Sequence, residues 1–499
     1  MRRILLFVTA LLWPAVAVHS EIWYVSQTSG NDGNAGNVSN APLKTLNGLE
    51  SHFGSSDTAY ITGTFNESNN GRDHAGDYYR GGLYLSGLND WMVTQWPDSA
   101  RPRFLGNPPP SGCIWPPNCI DSDTGWNGVG MEVLSCRNFT IKNIDFRHMG
   151  RGVFMDNDTT FEIRGCTFDS IFGGPCFSGG TGFCGVSDPA NCGNALNFGS
   201  VFVGYDVDSK TNPTRYGRIT NCAFGAALYS ICTWGGPWSL DSSGQNGGSI
   251  FSYRMGYMTI DSNTFGSYYT QIYAKGECNY NTIQYNTFTH AGGHGGVYLS
   301  ADIKDTVRYN LFQLCAIGIT LNGYINSTPY MDTAMIYNNT FYGDGQCIHN
   351  SCDDKQVRGT RAFNNIFCKF SSRALGFEGW NGSNNILTST INYWDENVYD
   401  ITTGSTKFTF NDVNYTFATW NSSLGWDGNS VNATPDFFVD TTASGGRDFH
   451  LNTSGASYGK LSTGGRGGAW PSYIGAFGSG STPPPAVLPP LPLRKRARK

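Results

Sequence analysis

The chain has 499 residues, 33 Lys and Arg against 38 Asp and Glu, and a formal net charge of −5. So mild a balance argues against a general nucleic-acid binder, which needs a basic stripe to neutralise phosphate. Charged residues make up 14% of the chain and aromatic residues another 14%, with 64 glycines, a composition that predicts many short strands joined by tight turns rather than long amphipathic helices.

Taken in chain order, Arg2 and Arg3 precede the apolar run from Ile4 to Val18 and small residues around Ser20. This is the order of a secretory signal over residues 1–20, with a mature chain starting near Glu21 and secreted to the extracellular side. No other stretch is apolar and long enough to span a bilayer. Residues 21–130 read as an N-terminal cap and first coils, 131–370 as regular coils, and 371–478 as C-terminal coils and cap. From 479 to 499 a Pro-rich tail ends in the basic run Arg494 to Lys499 and reads as a disordered, solvated end, with a basic anchor or a sorting remnant as the alternatives.

The middle of the chain repeats a phrase ending in phenylalanine, at Phe146, Phe168, Phe224, Phe265, Phe288, Phe312, Phe341 and Phe367, with steps of 22, 56, 41, 23, 24, 29 and 26 residues. A period of this size signals a solenoid. Around each phrase apolar and polar residues alternate, as in Met258 to Phe265 and Asn281 to Phe288, so each unit is a strand with one buried face. The expected fold is all-β: a single-domain parallel β-helix with the phenylalanines in an interior column. The asparagines of the phrases are expected in a ladder at a bend, in the left-handed conformation Asn tolerates. The long steps predict projecting loop insertions near 169–220 and 225–257, whose Trp234, Trp238, Tyr253 and Tyr257 are candidates for stacking on sugar rings as well as for loop packing.

The 14 cysteines of an exported chain permit disulfides. Cys113 with Cys119, and Cys176, Cys184 and Cys192, sit in Pro- and Gly-rich stretches that suit local staples, whereas Cys136, Cys166, Cys222, Cys315 and Cys368 lie inside strand-like runs and suit buried free thiols equally well. Eleven Asn-x-Ser/Thr sites, among them Asn37, Asn138 and Asn326, would accept glycans in a eukaryotic secretory route.

Two end segments resemble a known group. Trp23 to Gly36 with Ala41 to Thr45, and at the other end Asn432 to Asp440, Asp448 to Leu451 and Tyr473 to Phe477, resemble the opening and closing segments of secreted right-handed β-helix proteins of the pectate-lyase-like superfamily. The resemblance implies a right-handed coil and action on acidic polysaccharides. Within it, Gln271 to Lys275 followed by Asn281 to Phe288 resembles the catalytic coil of the chondroitinase-B and alginate-lyase family, which implies Lys275 as the base of a β-elimination. A lysine serves so only when its pKa is lowered toward the working pH. The sequence departs from that family in two places. Val297 to Ser300 stands where the next coil supplies an arginine, and Tyr268, Tyr269 and Gln271 stand where acidic calcium ligands precede the lysine, so calcium is unsupported, no cofactor is required and any metal is unknown.

Aligning the coils by apolar positions stacks Lys275 with Ser300, Asn322 and Asn350, and with Asp156 further up. Beside Lys275, His290 and His294 punctuate a Gly-rich run and are candidates for base or acid; Tyr273, Tyr298, Asp302, Lys304, Arg308 and Asn322 are the candidate substrate-binding residues, in a groove over residues 268–305. The segment Arg147 to Arg151 takes the register of His290 several coils earlier, too far for one shared centre. The leading expectation is a monomeric, exported lyase of a uronate polysaccharide. The alternatives are a non-catalytic glycan-binding or surface-layer β-helix, and a glycoside hydrolase, which would need two carboxylates flanking the bond.

Overall fold

The computed structural model describes residues 20–66, 81–105, 129–149, 151–169, 171, 198–204, 213–225, 247–276, 278–300, 304–323, 331–352, 357–379, 393–402, 404–410, 413–432, 438–440 and 448–451. The proposed signal, the Cys113/Cys119 and Cys176/Cys184/Cys192 staples, Trp234, Trp238, Asp302 and the basic tail lie outside these residues.

One coil shows the plan. Thr282–Gln284 belongs to a first sheet, Thr287–Thr289 to a second, Ala291–Ser300 to a third, and Thr306–Arg308 returns to the first. Each sheet gathers 12 strands among the described residues, joined in parallel register from coil to coil except at the last strand of the third sheet. The protein is therefore a right-handed parallel β-helix, as the repeat and the resemblance predict.

The phenylalanine column holds. From Phe146 to Tyr399 the rings of the second sheet stack inside the coil, with centroids 5.0 Å apart at Phe146–Phe168 and 4.7 Å apart at Phe288–Phe312. The third sheet makes room for it with small residues: a Cβ on Gly318 would lie 2.6 Å from Phe341 Cε1 and 2.6 Å from the Cys347 carbonyl oxygen.

The asparagine ladder is present, but its residues are not the left-handed ones from Asn263 onward. Asn263, Asn286, Asn310, Asn339, Asn365 and Asn397 are buried and bond to each other in sequence. The residue before each, from Ser262 through Tyr285, Tyr309, Asn338 and Asn364 to Glu396, carries the positive φ. A planar amide with two donors and an acceptor matches a stack in which each rung must bond both up and down.

The long insertions are shorter than expected. Phe198–Val203, Arg215–Thr220 and Gly247–Tyr253 fall within those spans yet pair in register with neighbouring coils. Tyr253 and Tyr257 thus sit on the solenoid and not on projecting loops. Cys136, Cys166, Cys222, Cys315, Cys347 and Cys368 are free and buried, so the disulfides the sequence permits have no counterpart among these residues.

Both ends of the stack carry a short helix, as a solenoid needs to cover its terminal coils. At the start, Thr45 caps the helix Leu46–Glu50, whose Leu46 and Leu49 are buried. At the finish, the third sheet turns back on itself: Thr406–Phe410 pairs antiparallel with Val413–Thr416. The helix Phe417–Leu424 follows, opened by a Thr416–Thr419 capping box and closed by Gly425 at φ 68°. Its Trp420 is buried against Phe408 and Trp426 and donates to Asp427. No helix among the described residues is long and apolar enough to cross a membrane.

Candidate active site

The third sheet builds a polar and aromatic face by strict alternation. Ile272 and Ala274 on one strand, Val297 and Leu299 on the next, and Ile319 and Leu321 on the third belong to the core, while Tyr273 and Tyr298 join a separate cluster with Phe154, Phe202, Phe251 and Tyr253. Residues two apart on a strand share a face, so Lys275, Ser300 and Asn322 follow Tyr273, Tyr298 and Thr320 outward. The register pairs Tyr253 with Lys275, Lys275 with Ser300, and Ser300 with Asn322. Asn322 then pairs with Ser351, not with Asn350. Asn350 stacks with Leu321 and Phe377 instead: a polar residue occupies an inward position there, and an alignment by apolar positions slips by one.

A bulge delivers His294 to this face. Tyr268 pairs with Ala291 but Thr270 pairs with Gly295, so the His290-to-Gly296 run carries two extra residues. Gly295 allows it at φ 98°, where a Cβ would lie 2.8 Å from the Ile317 carbonyl oxygen. The half-buried His294 ring then sits 5.1 Å from Tyr298 and 6.1 Å from Tyr273, whose own rings meet edge-on at 4.5 Å. Thr320 Oγ1 donates to the His294 carbonyl at 2.9 Å, and the Asn322 amide donates to the Tyr298 hydroxyl.

Lys275 lies at the centre. It is 7% exposed, and its Nζ is 5.8 Å from the Tyr253 ring and 5.9 Å from the Tyr273 ring. Burial favours the neutral amine and lowers its pKa to about 8. Burial, then the Lys275 charge, holds His294 near 4. One coil beyond Thr320, His349 is held near 4 by burial and by Arg373 and His294. His349 was not singled out in the sequence; its signal was its place between Ile348 and Asn350 in a strand. At neutral pH the face therefore offers one titrating amine, two neutral imidazoles, phenols and amides.

The other sequence candidates are placed elsewhere. His290 is exposed at a left-handed bend between the second and third sheets, at the opposite end of the strand from Ser300; His148 takes the same kind of bend at φ 53°. Lys304 is exposed at the bend from the third sheet to the first, with Nζ 5.3 Å from the Tyr280 ring. Arg308 is on the first sheet, donating to Gln284 Oε1 at 2.8 Å and to the Tyr337 hydroxyl at 2.7 Å. Arg147 pairs with Asp145 and Asp169, and Arg151 lies 4.4 Å from the Phe202 ring. A coil spends its residues on three faces, so nearness in sequence does not gather them. Gln271, at a position where calcium ligands precede the lysine in the family resembled, is fully buried and donates to the carbonyls of Gly266 and Thr289. Among the described residues no group of three or more His, Cys, Asp or Glu is placed to hold a metal ion.

The fold and this face together define a parallel β-helix with a basic, aromatic centre on its third sheet. Comparison with known proteins gives likenesses to part and to most of the chain. Residues 193–357 match the NosD family, described as a periplasmic copper-binding protein, a right-handed β-helix family. No curated protein matches the sequence. Among solved structures, pectate lyase Pel9A aligns at 13% identity and a TM-score of 0.49, over 93% of this chain and 98% of its own. A rhamnogalacturonan lyase aligns at 10% identity and 0.37, over 85% and 91%. PfbA, a surface adhesin of Streptococcus pneumoniae, aligns at 9% and 0.38, over 72% and 78%.

Proposed function

We propose that the protein is an exported polysaccharide-active enzyme that cleaves a uronate-containing chain by β-elimination, with Lys275 as the base. The observation that supports this reading is the setting of Lys275, whose amine is buried between two tyrosine rings and titrates near 8. The neutral amine would take the proton next to the uronate carboxylate, and Tyr298, held by the Asn322 amide, would return a proton to the departing glycosidic oxygen. The described outward residues on the strands from Gly247–Tyr253 to Ile317–Asn322 carry no carboxylate, so an acidic polymer meets no like charge from them. That same feature disfavours a hydrolase, which needs two carboxylates at the bond.

One observation favours a non-catalytic glycan-binding face instead: the run Val297 to Ser300 stands where the next coil of the resembled family supplies an arginine, and Ser300, paired in register with Lys275, is 1% exposed. The two readings separate by incubating the purified chain with a panel of uronate polymers, with and without calcium, and following absorbance of the unsaturated product. Product formation that Lys275→Ala abolishes supports elimination; a folded protein giving neither absorbance nor new reducing ends leaves binding.

A further inference from the structure

Three exposed tyrosines form a ladder on the bend that joins the third sheet to the first. Tyr216, Tyr257 and Tyr280 occupy the same position on successive coils, two residues before the register-matched Arg218, Thr259 and Thr282. Their rings stack with centroids 5.0 and 4.9 Å apart and stay 40%, 44% and 41% exposed. The next rung is Lys304, whose ammonium caps the Tyr280 ring. At the other end Arg215 is exposed, its Nε 3.8 Å from where a Cβ on Gly256 would lie.

The fold alone does not call for tyrosine here. Every rung of this column has a positive φ, 59°, 56° and 61° at the three tyrosines, and elsewhere the column uses Ser56, Asp90, Asn138, Thr160 and Thr333. A bulky ring in the left-handed region is strained. Stacking offsets part of that strain, but three strained residues make only two pairs.

We infer that Tyr216, Tyr257 and Tyr280, with Arg215 and Lys304 at the ends, form a second binding track for an extended acidic polysaccharide lying along the solenoid axis. Ring edges and phenol hydroxyls recur once per coil, about 4.8 Å apart, in a row one residue wide, which fits a thin repeating chain and not a globular partner. The charge is complementary: both ends are cationic, and Asp158 and Asp305 on nearby bends are fully buried. The track lies on the turns that leave the third sheet, since Tyr257, Tyr280 and Lys304 follow the strand ends Tyr253, Lys275 and Ser300 by four or five residues. It shares its ligand class with the function proposed above but does not require Lys275 to act as a base.

The test is the triple variant Tyr216→Asn, Tyr257→Asn and Tyr280→Asn, made in the full chain carrying Lys275→Ala so that cleavage does not deplete the ligand. Asparagine suits the left-handed rung, so the triple variant should melt no lower than its parent. Binding is measured to immobilised polygalacturonate and alginate, with dextran as the neutral polymer. The expected result is at least tenfold weaker binding to one of the acidic polymers in the triple variant, and a weaker, less salt-sensitive interaction in Lys304→Gln. Undiminished binding by the triple variant, equal binding of the parent to dextran, or no binding by the folded parent overturns the inference. Ladder-dependent binding without unsaturated product from the wild type would sink the elimination alone, and product without ladder dependence would sink the track alone.

Discussion

Asn286 donates both its backbone N–H and its side-chain amide to Oδ1 of Asn310, at 3.0 and 3.1 Å. Asn310 in turn donates to the carbonyls of Ile283 and Arg308 and to Asn339. Each rung is thus at once the acceptor for the coil before and a donor to the coil after.

Replacing Asn310 with leucine or alanine should therefore destabilise the solenoid more than an ordinary core truncation of that size. Several buried partners lose their bonds together, at about 1–3 kcal/mol for each group left unsatisfied. Urea unfolding checks this, and a midpoint within error of the wild type would show that the ladder carries no stability.

Gly318→Ala should also destabilise, by about 1–3 kcal/mol. The added Cβ meets both the Phe341 ring and a backbone carbonyl, and neither is the end of a flexible side chain. Thermal melting of this variant, compared with Gly404→Ala, separates crowding from the general effect of removing a glycine. At Gly404 nothing lies within 4 Å, and its φ of 85° leaves only backbone strain.

Lys275 makes stability depend on pH with a definite sign. Its folded pKa is lowered from 10.5 to about 8, so between those values the unfolded chain binds the proton more tightly and stability rises with pH. Below pH 8 the burden is fully present, roughly 3 kcal/mol at 1.36 kcal/mol per pKa unit. Lys275→Met should be more stable than wild type at pH 7 and should flatten the rise from pH 8 to 10.5. Elimination by the wild type should rise with pH through an apparent pKa near 8, and a rate independent of pH across 7–9 would exclude this lysine as the base.

Asp158 provides a contrasting case. Burial raises its pKa to about 8 even though Oδ1 accepts the Cys136 N–H at 2.6 Å. A carboxyl raised in the folded state loses stability as pH climbs from 3.8 toward 8, because the unfolded chain ionises first. Asn281 performs the same service for the Met258 N–H without a charge. Asp158→Asn should therefore raise the melting temperature at pH 7 and lose that advantage at pH 3.5.

What could be read from the chain was what repeats. The phenylalanine spacing located the interior column, and aligning the coils by apolar positions put Lys275 in one row with Ser300 and Asn322. Asp156 and Lys275 do fall in one row, one residue on from the row that pairs Met155 through Val203 and Ser252 to Ala274. The errors occurred where a local rule met its exception. Asn350 points inward because a core position is polar. Lys304 and Arg308 left the site because a bend turns the chain onto another face. The 56- and 41-residue steps concealed whole strands because an insertion and a coil strand are equally rich in glycine and serine.

The hairpin at the end of the third sheet has a consequence for assembly. A stack of parallel strands presents its last strand as an open row of amides and carbonyls, a ready template for another chain. By folding Val413–Thr416 back against Thr406–Phe410 and setting Trp420 over the final coil, the protein occupies that row with its own backbone. In the third sheet the last parallel strand is thereby covered by the chain's own backbone, and the row that a further coil would pair with is already taken.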